Sequence, residues 1–343
     1  MMNKRLKQGS TFLLAVALTF PLLTLPGAKA ASAIDTDAEC SIEFDISGNS
    51  SELLSASIPV NLYKVASVDE SGNYTVTDAF TGLDLSSVSA DDLDKAAATW
   101  AKRAETAQGK LTDSEGNPVV EPTETVTLQN GRGTATGLKT GLYLVDTPKV
   151  ITPNYTYTFT PYLVSLPTNN YYNNDQTSDD WIYDLTKEYN SAVGLKPEQH
   201  VRYGDLVINK ELINHNATFG DKATFVFQID ITTLDKKTET RIEELTFDAA
   251  GSHSVTIEKI PAGSHVTVTE VYSGASYELA SAKIQETDII ANPEKKSEEE
   301  FRPAEVSFIN KHDGRTNGGY GVKNNFKLDE NNQYQYTKPA SKN

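Results

Sequence analysis

Three residues far apart in the chain share one kind of neighbourhood. Lys210 follows Val207-Ile208-Asn209, Glu270 ends Val266-Thr267-Val268-Thr269, and Asn310 ends Val306-Ser307-Phe308-Ile309. Each closes an alternating apolar stretch, so period-two geometry would turn its side chain toward the face carrying the apolar residues. An unpaired charge in a β-sandwich core is too costly to keep, so an inward Lys, Glu and Asn would have to satisfy one another. Desolvation disfavours the charged forms of the two ionisable groups. A neutral lysine amine is a nucleophile. A protonated carboxyl can hydrogen-bond to the Asn amide, polarise its carbonyl and pass a proton to departing ammonia. The expected product is an amide between Lys210 and Asn310, with Glu270 as proton shuttle, made once and never turned over. The alternatives are a surface trio with no bond, and Glu258, just ahead of the Ile260-Pro261-Ala262-Gly263 turn, as the rival acid.

The elements that must hold these residues are strands. In the second half, segments 205–213, 223–232, 244–247, 253–260, 265–272, 277–284, 304–310 and 320–326 alternate with period two between Gly, Pro and Ser turns. Seven or eight short strands in such a span predict an immunoglobulin-like sandwich. The first half carries strands at 40–46, 58–65, 74–77, 125–128, 141–145, 155–166 and 181–186, rich in Thr, Tyr and Val. One segment differs. Ser89-Ala90-Asp91-Asp92 caps a run through Ala107 rich in Ala, Leu, Lys and Glu, with Leu93, Ala97, Trp100 and Ala101 on one face, which predicts an amphipathic helix inserted among the strands. The fold class is therefore all-β: two tandem immunoglobulin-like sandwiches, the first with an inserted α-helix. The predicted organisation is a leader at 1–30, a first domain at 34–198, a second at 203–312, and a C-terminal strand and polar tail at 313–343.

The leader sets the compartment. Lys4, Arg5 and Lys7 precede an apolar run over residues 12–25, and Ala28-Lys29-Ala30 is a small-x-small cleavage site, the pattern of a secretory signal peptide. The run is short and interrupted, and no later segment of the mature chain is expected to span a bilayer. The formal net charge is −16 at pH 7, and losing the leader makes the mature chain more acidic. Such a chain repels nucleic acid. One cysteine, Cys40, excludes an intrachain disulfide, so an exported protein of this kind must resist unfolding in another way.

Beyond these readings, the second half resembles the isopeptide-linked pilins of Gram-positive bacteria, built from Cna B-type sandwich domains. The resemblance lies in Tyr203-Gly204-Asp205-Leu206-Val207-Ile208-Asn209-Lys210, Phe225-Val226-Phe227-Gln228-Ile229, Ile260-Pro261-Ala262-Gly263, residues 266–272 and Val306-Ser307-Phe308-Ile309-Asn310. It implies that Lys210 and Asn310 form a spontaneous isopeptide bond with Glu270 as the acid. Pro59-Val60-Asn61-Leu62-Tyr63-Lys64-Val65, residues 137–145 and Trp181-Ile182-Tyr183-Asp184 resemble the N-terminal domain of the same pilins. The first strand there lacks a Lys, Asp146 stands where the family has Glu, and the final strand lacks the Asn, so no bond is expected and Lys64 reads as a strand residue with its amine at the surface.

Leu195-Lys196-Pro197 is similar to a pilin motif, which implies Lys196 as the amine that a sortase joins to another subunit; Lys187 and Lys149 are weaker candidates. The implied partners are other pilin subunits and a sortase, at the cell surface. A Leu-Pro-x-Thr-Gly signal is not found, so the chain is expected to accept such a linkage rather than donate one. Segment 319–326 is a candidate for pairing with a sheet edge. The expected function is a pilus or fimbrial structural subunit. The alternative is a secreted adhesin or ligand-binding module, not polymerised, that meets host or matrix ligands through the Tyr- and Asn-rich loop 168–180. No enzyme motif is legible. The histidines (His200, His215, His253, His265, His312) are scattered without metal-ligand spacing, so no metal or cofactor is expected.

Overall fold

The computed structural model describes residues 23–24, 32–89, 93–169, 181–186, 193–216, 222–294, 301–314, 325–328 and 334–337. Most of the leader, the proposed helix cap at 90–92, most of the 168–180 loop and Lys187 lie outside the described residues. The chain divides into two compact units, 1–152 with 156–200, and 153–155 with 201–343. The short stretch 153–155 groups with the second unit, where Asn154 O accepts a hydrogen bond from Arg202 N at 3.0 Å.

In the first unit, β1 (Glu39–Asp45) lies between β4 (Arg132–Lys139), antiparallel to it, and the short parallel strand Asp184–Leu185. The other sheet runs β6 (Tyr162–Leu166), β5 (Gly141–Asp146), β2 (Ile58–Val68), Tyr74–Val76, with β3 (Glu124–Leu128) on the N-terminal half of β2. Helix α1 (Leu93–Gln108) covers this sheet, placing Trp100, Ala104 and Ala107 in a core with Tyr63, Leu142, Leu144 and Leu163. That second cover explains why 141–145 and 162–166 are buried throughout rather than alternately: a sheet packed on both faces needs apolar residues on both. The helix face differs from the predicted one. Ala96, Trp100, Arg103, Ala104 and Ala107 are buried, whereas Ala97 is half-buried and Ala101 exposed. On the buried face Arg103 lies over the Trp100 ring at 4.4 Å and reaches Ser86 Oγ at 3.2 Å.

The second unit is a sandwich of two four-stranded sheets. One has the order β10 (Gly251–Pro261), β7 (Tyr203–Leu212), β14 (Ala304–His312), β12 (Tyr277–Leu279). The other has the order β9 (Thr238–Phe247), β8 (Ala223–Thr232), β11 (His265–Tyr272), β13 (Ile284–Asp288). Leu206 and Ile208 from β7, Phe225, Phe227, Ile229 and Ile231 from β8, Val266 and Val268 from β11, and Val306 and Phe308 from β14 fill the space between. Segment 277–284, read from the sequence as one strand, is two. It leaves β12 at Leu279, crosses between the sheets and enters β13 at Ile284. Of the expected strand 320–326, residues 320–324 lie outside the described residues; Asn325–Leu328 is a strand that pairs antiparallel with Tyr334–Thr337.

Both units place a late strand parallel to their first strand, Asp184–Leu185 on β1 and β14 on β7. In the second unit this seam runs from Leu206↔Ala304 to Leu212↔Asn310. Close approach at its start requires glycine: a Cβ on Gly204 would sit 1.9 Å from Ile290 O and 2.9 Å from Ile289 Cγ2. Gly204→Ala is therefore expected to destabilise the second unit by about 1–3 kcal/mol through overpacking against backbone. A denaturant midpoint equal to that of the wild type would show that the strand start can shift freely.

Candidate functional site

Strand alternation delivers the three polar residues to one place. On β7 the inward residues are Gly204, Leu206, Ile208, Lys210 and Leu212; on β14 they are Ala304, Val306, Phe308 and Asn310; on β11 they are Val266, Val268 and Glu270. Each polar residue takes the next inward position after apolar ones, so nothing in the backbone diverts it to solvent. Lys210 and Glu270 side chains are fully buried, and Asn310 is 0% exposed.

Lys210 Nζ donates to Glu270 Oε2 at 2.8 Å and to Asn310 Oδ1, and Asn310 Nδ2 donates to Glu270 Oε1 at 2.7 Å. The three side chains close a ring of hydrogen bonds, each partner supplying what the next lacks. The amide orientation follows from this ring, since the reverse one would point Nδ2 at the ammonium and Oδ1 at the carboxylate. The Nζ also lies 4.4 Å from the Phe225 ring centroid and 5.9 Å from that of Phe227, whose ring tilts against Phe308 at 5.1 Å. Burial among these rings holds the Lys210 pKa below the ordinary lysine range; the bonded carboxyl of Glu270 opposes that effect without cancelling it.

Glu270 faces the amide nitrogen of Asn310, and the carbonyl oxygen accepts instead from Lys210 Nζ. Glu270 bridges the nitrogen that would attack and the nitrogen that would leave, which suits a proton relay between them. Glu258, the rival acid, is exposed on β10, and its main-chain carbonyl accepts from Arg241 Nη1 at 3.0 Å.

The first unit has no such ring among the described residues. Asp146 is half-buried and accepts from Gln108 Nε2 of α1 at 2.6 Å, and burial raises its pKa. Lys64 on β2 is half-buried. Cys40 occupies an inward position of β1, and burial pushes its thiol up to about 12, which makes it inert at neutral pH.

Lys196 is exposed between buried Leu195 and Pro197, and its main-chain carbonyl accepts from Thr160 N at 3.3 Å. Among the described residues no group of three or more His, Cys, Asp or Glu side chains could hold a metal ion, and no helix is long and apolar enough to cross a membrane.

A family model described as a domain of unknown function (DUF5979) matches residues 206–313, the span that carries the ring. No curated protein matches the chain. Among solved structures, the chain is similar to GBS52, the minor pilin of Streptococcus agalactiae, at 14% identity over 78% of this chain and 87% of that one, with a TM-score of 0.21. It is similar to the T6 backbone pilin of serotype M6 Streptococcus pyogenes at 9% identity, over 82% of this chain and 65% of that one, TM-score 0.30. The full-length major pilin SpaD of Corynebacterium diphtheriae matches at 11% identity, over 81% of this chain and 99% of that one, TM-score 0.25. These likenesses are remote.

Proposed function

We propose that the protein is a structural subunit of a bacterial surface pilus or fimbria, with a second unit locked by an autocatalytic Lys210–Asn310 isopeptide bond. The observation that carries this reading is the buried Lys–Glu–Asn ring between the first and last strands of that unit. The reaction balances within the ring. Nζ passes a proton to Glu270 and attacks Cγ of Asn310; the Cγ–Nδ2 bond breaks as Nδ2 takes up protons through Glu270. The Nζ–Cγ amide forms, nitrogen leaves as ammonium, and the carboxylate is regenerated. A depressed Lys210 pKa favours the neutral, nucleophilic amine. Burial excludes water that would compete for the acyl carbon.

A shaft subunit bears tension along its chain. A covalent bond between parallel, adjacent first and last strands short-circuits that load, and it serves where the single cysteine rules out a disulfide between them. Lys196, exposed on an anchored backbone ahead of Pro197, is the proposed intersubunit amine. In cells that co-express a sortase and a signal-bearing pilin, Lys196→Ala is expected to remove this protein from the covalent ladder on denaturing gels and leave it as free monomer. A wild-type protein that runs only as monomer in those cells, with its internal bond formed, would instead mark a secreted, unpolymerised module.

A further inference from the structure

Lys210 and Asn310 are held in register by direct strand pairing, but Glu270 belongs to the opposite sheet. Apolar packing between sheets is non-directional, whereas proton relay needs the carboxyl placed to within a fraction of an ångström. Something directional must tie the acid's strand to the amide's strand. The crossing segment between β12 and β13, residues 280–283, together with Gln285 at the start of β13, does so on both sides. Lys283 O accepts from Glu270 N at 3.1 Å. Ala280 N donates to Ile309 O at 2.7 Å, and Ser281 Oγ accepts from Ile309 N at 3.1 Å. Gln285 then grips Ser307, its Oε1 accepting from Ser307 N at 3.2 Å and its Nε2 donating to Ser307 O. The strap thus bonds the main chain of Glu270 itself, that of the residue beside Asn310, and that of a third residue on the same strand.

We propose that this strap is a positioning device for the cross-linking reaction, with Ser281 and Gln285 as its positioning residues. They touch neither the amine nor the amide carbon. They act by fixing β14 against β11, so that Glu270 meets Lys210 Nζ and Asn310 Nδ2 together. Without them the outer edge of β14 at Ser307 and Ile309 would lose these partners, and the two sheets could slide by the small distance that separates a relay from a mere contact. This inference rests on the isopeptide reading above.

The test follows newly made full-length chain in cell-free synthesis, sampling intact mass over time in the folded fraction isolated by size exclusion. The Ser281→Ala/Gln285→Ala double variant is expected to lose ammonia at least about ten-fold more slowly than the wild type, given that misplacement of about 1 Å can cost a hundred-fold. Ser281→Thr, which keeps the hydroxyl, should react at the wild-type rate, and Gln285→Glu, which keeps only the acceptor, should fall between. A purely structural strap would lower the melting temperature and leave the rate of ammonia loss unchanged; that result overturns the proposal. Should the double variant not fold, the two single alanine variants carry the same comparison. A wild-type chain that never loses ammonia overturns the isopeptide reading itself, and the inference with it.

Discussion

Glu270→Ala is expected to yield a mature chain at its own full sequence mass, where the wild type falls one ammonia short of its own, and a second unit far less resistant to unfolding. Two effects add. The wild-type cross-link would join residues 100 apart in sequence. By the chain-entropy argument used for disulfides, a loop of that length constrains the unfolded state by about 4.7 kcal/mol. Removing the carboxylate also strands a buried ammonium, and breaking a buried pair in this way costs about 3–5 kcal/mol. Asn310→Ala separates the two effects: it cannot form the bond but keeps the Lys210–Glu270 contact at 2.8 Å. It should show full mass with the smaller loss of stability. Intact mass, each against its own sequence mass, and denaturant midpoints of the three proteins decide the matter; a wild type with no ammonia deficit sinks the cross-link.

The same variant carries a pH signature. Burial depresses the Lys210 pKa in the folded chain, and removing Glu270 takes away the carboxyl that opposes this shift. The unfolded chain then binds a proton that the folded chain does not, so stability rises with pH until the ordinary lysine range is reached. Glu270→Ala should therefore gain stability as pH rises toward the ordinary lysine range, relative to a wild type whose cross-linked nitrogen would not titrate.

Trp100→Ala carries the largest expected effect in the first unit. Trp100 is 5% exposed and joins the core formed with Tyr63, Leu142, Leu144 and Leu163. Truncating a buried tryptophan costs about 3–5 kcal/mol in transfer and cavity terms. Here it also removes the ring beneath the Arg103 guanidinium, leaving a buried cation with Ser86 at 3.2 Å and the exposed Asp84 at 3.6 Å as its remaining described partners. The expected readout is a lower unfolding midpoint by far-ultraviolet circular dichroism, with early proteolysis within the first unit and ammonia loss in the second unit unchanged. Trp100→Phe should recover much of the stability, because it restores an aromatic face beneath the cation. An unaltered midpoint in Trp100→Ala would mean that α1 contributes little to the core.

Much of this architecture was open to reading from local pattern. Strands 223–232, 265–272 and 304–310 show period-two alternation without interruption, and their boundaries in the structure follow the punctuation closely. The helix at 93–108 was legible from composition, but its buried face was not. Ala97 and Ala101 are as apolar as Ala96 and Ala104; which face is buried is decided by packing of Trp100, Ala104 and Ala107 against Tyr63, Leu142, Leu144 and Leu163, residues that no window of sequence around the helix contains. The break at 280–283 was missed for a similar reason. Tyr277-Glu278-Leu279 and Ile284-Gln285-Glu286 both suit strands, and only the position of the opposite sheet requires the chain to cross between them.

For the ring itself, alternation along each strand was enough to nominate Lys210, Glu270 and Asn310, because a polar residue at the next inward position is conspicuous in an apolar series. Strand pairing decided the rest. The parallel register of β7 and β14 puts Lys210 diagonally within reach of Asn310, and the facing sheet brings in Glu270. Which amide atom meets which partner is a property of three side chains packed together. Period-two pattern is a local consequence of backbone geometry and so is written in the chain; distances between residues 210, 270 and 310 arise only when two sheets close over one core.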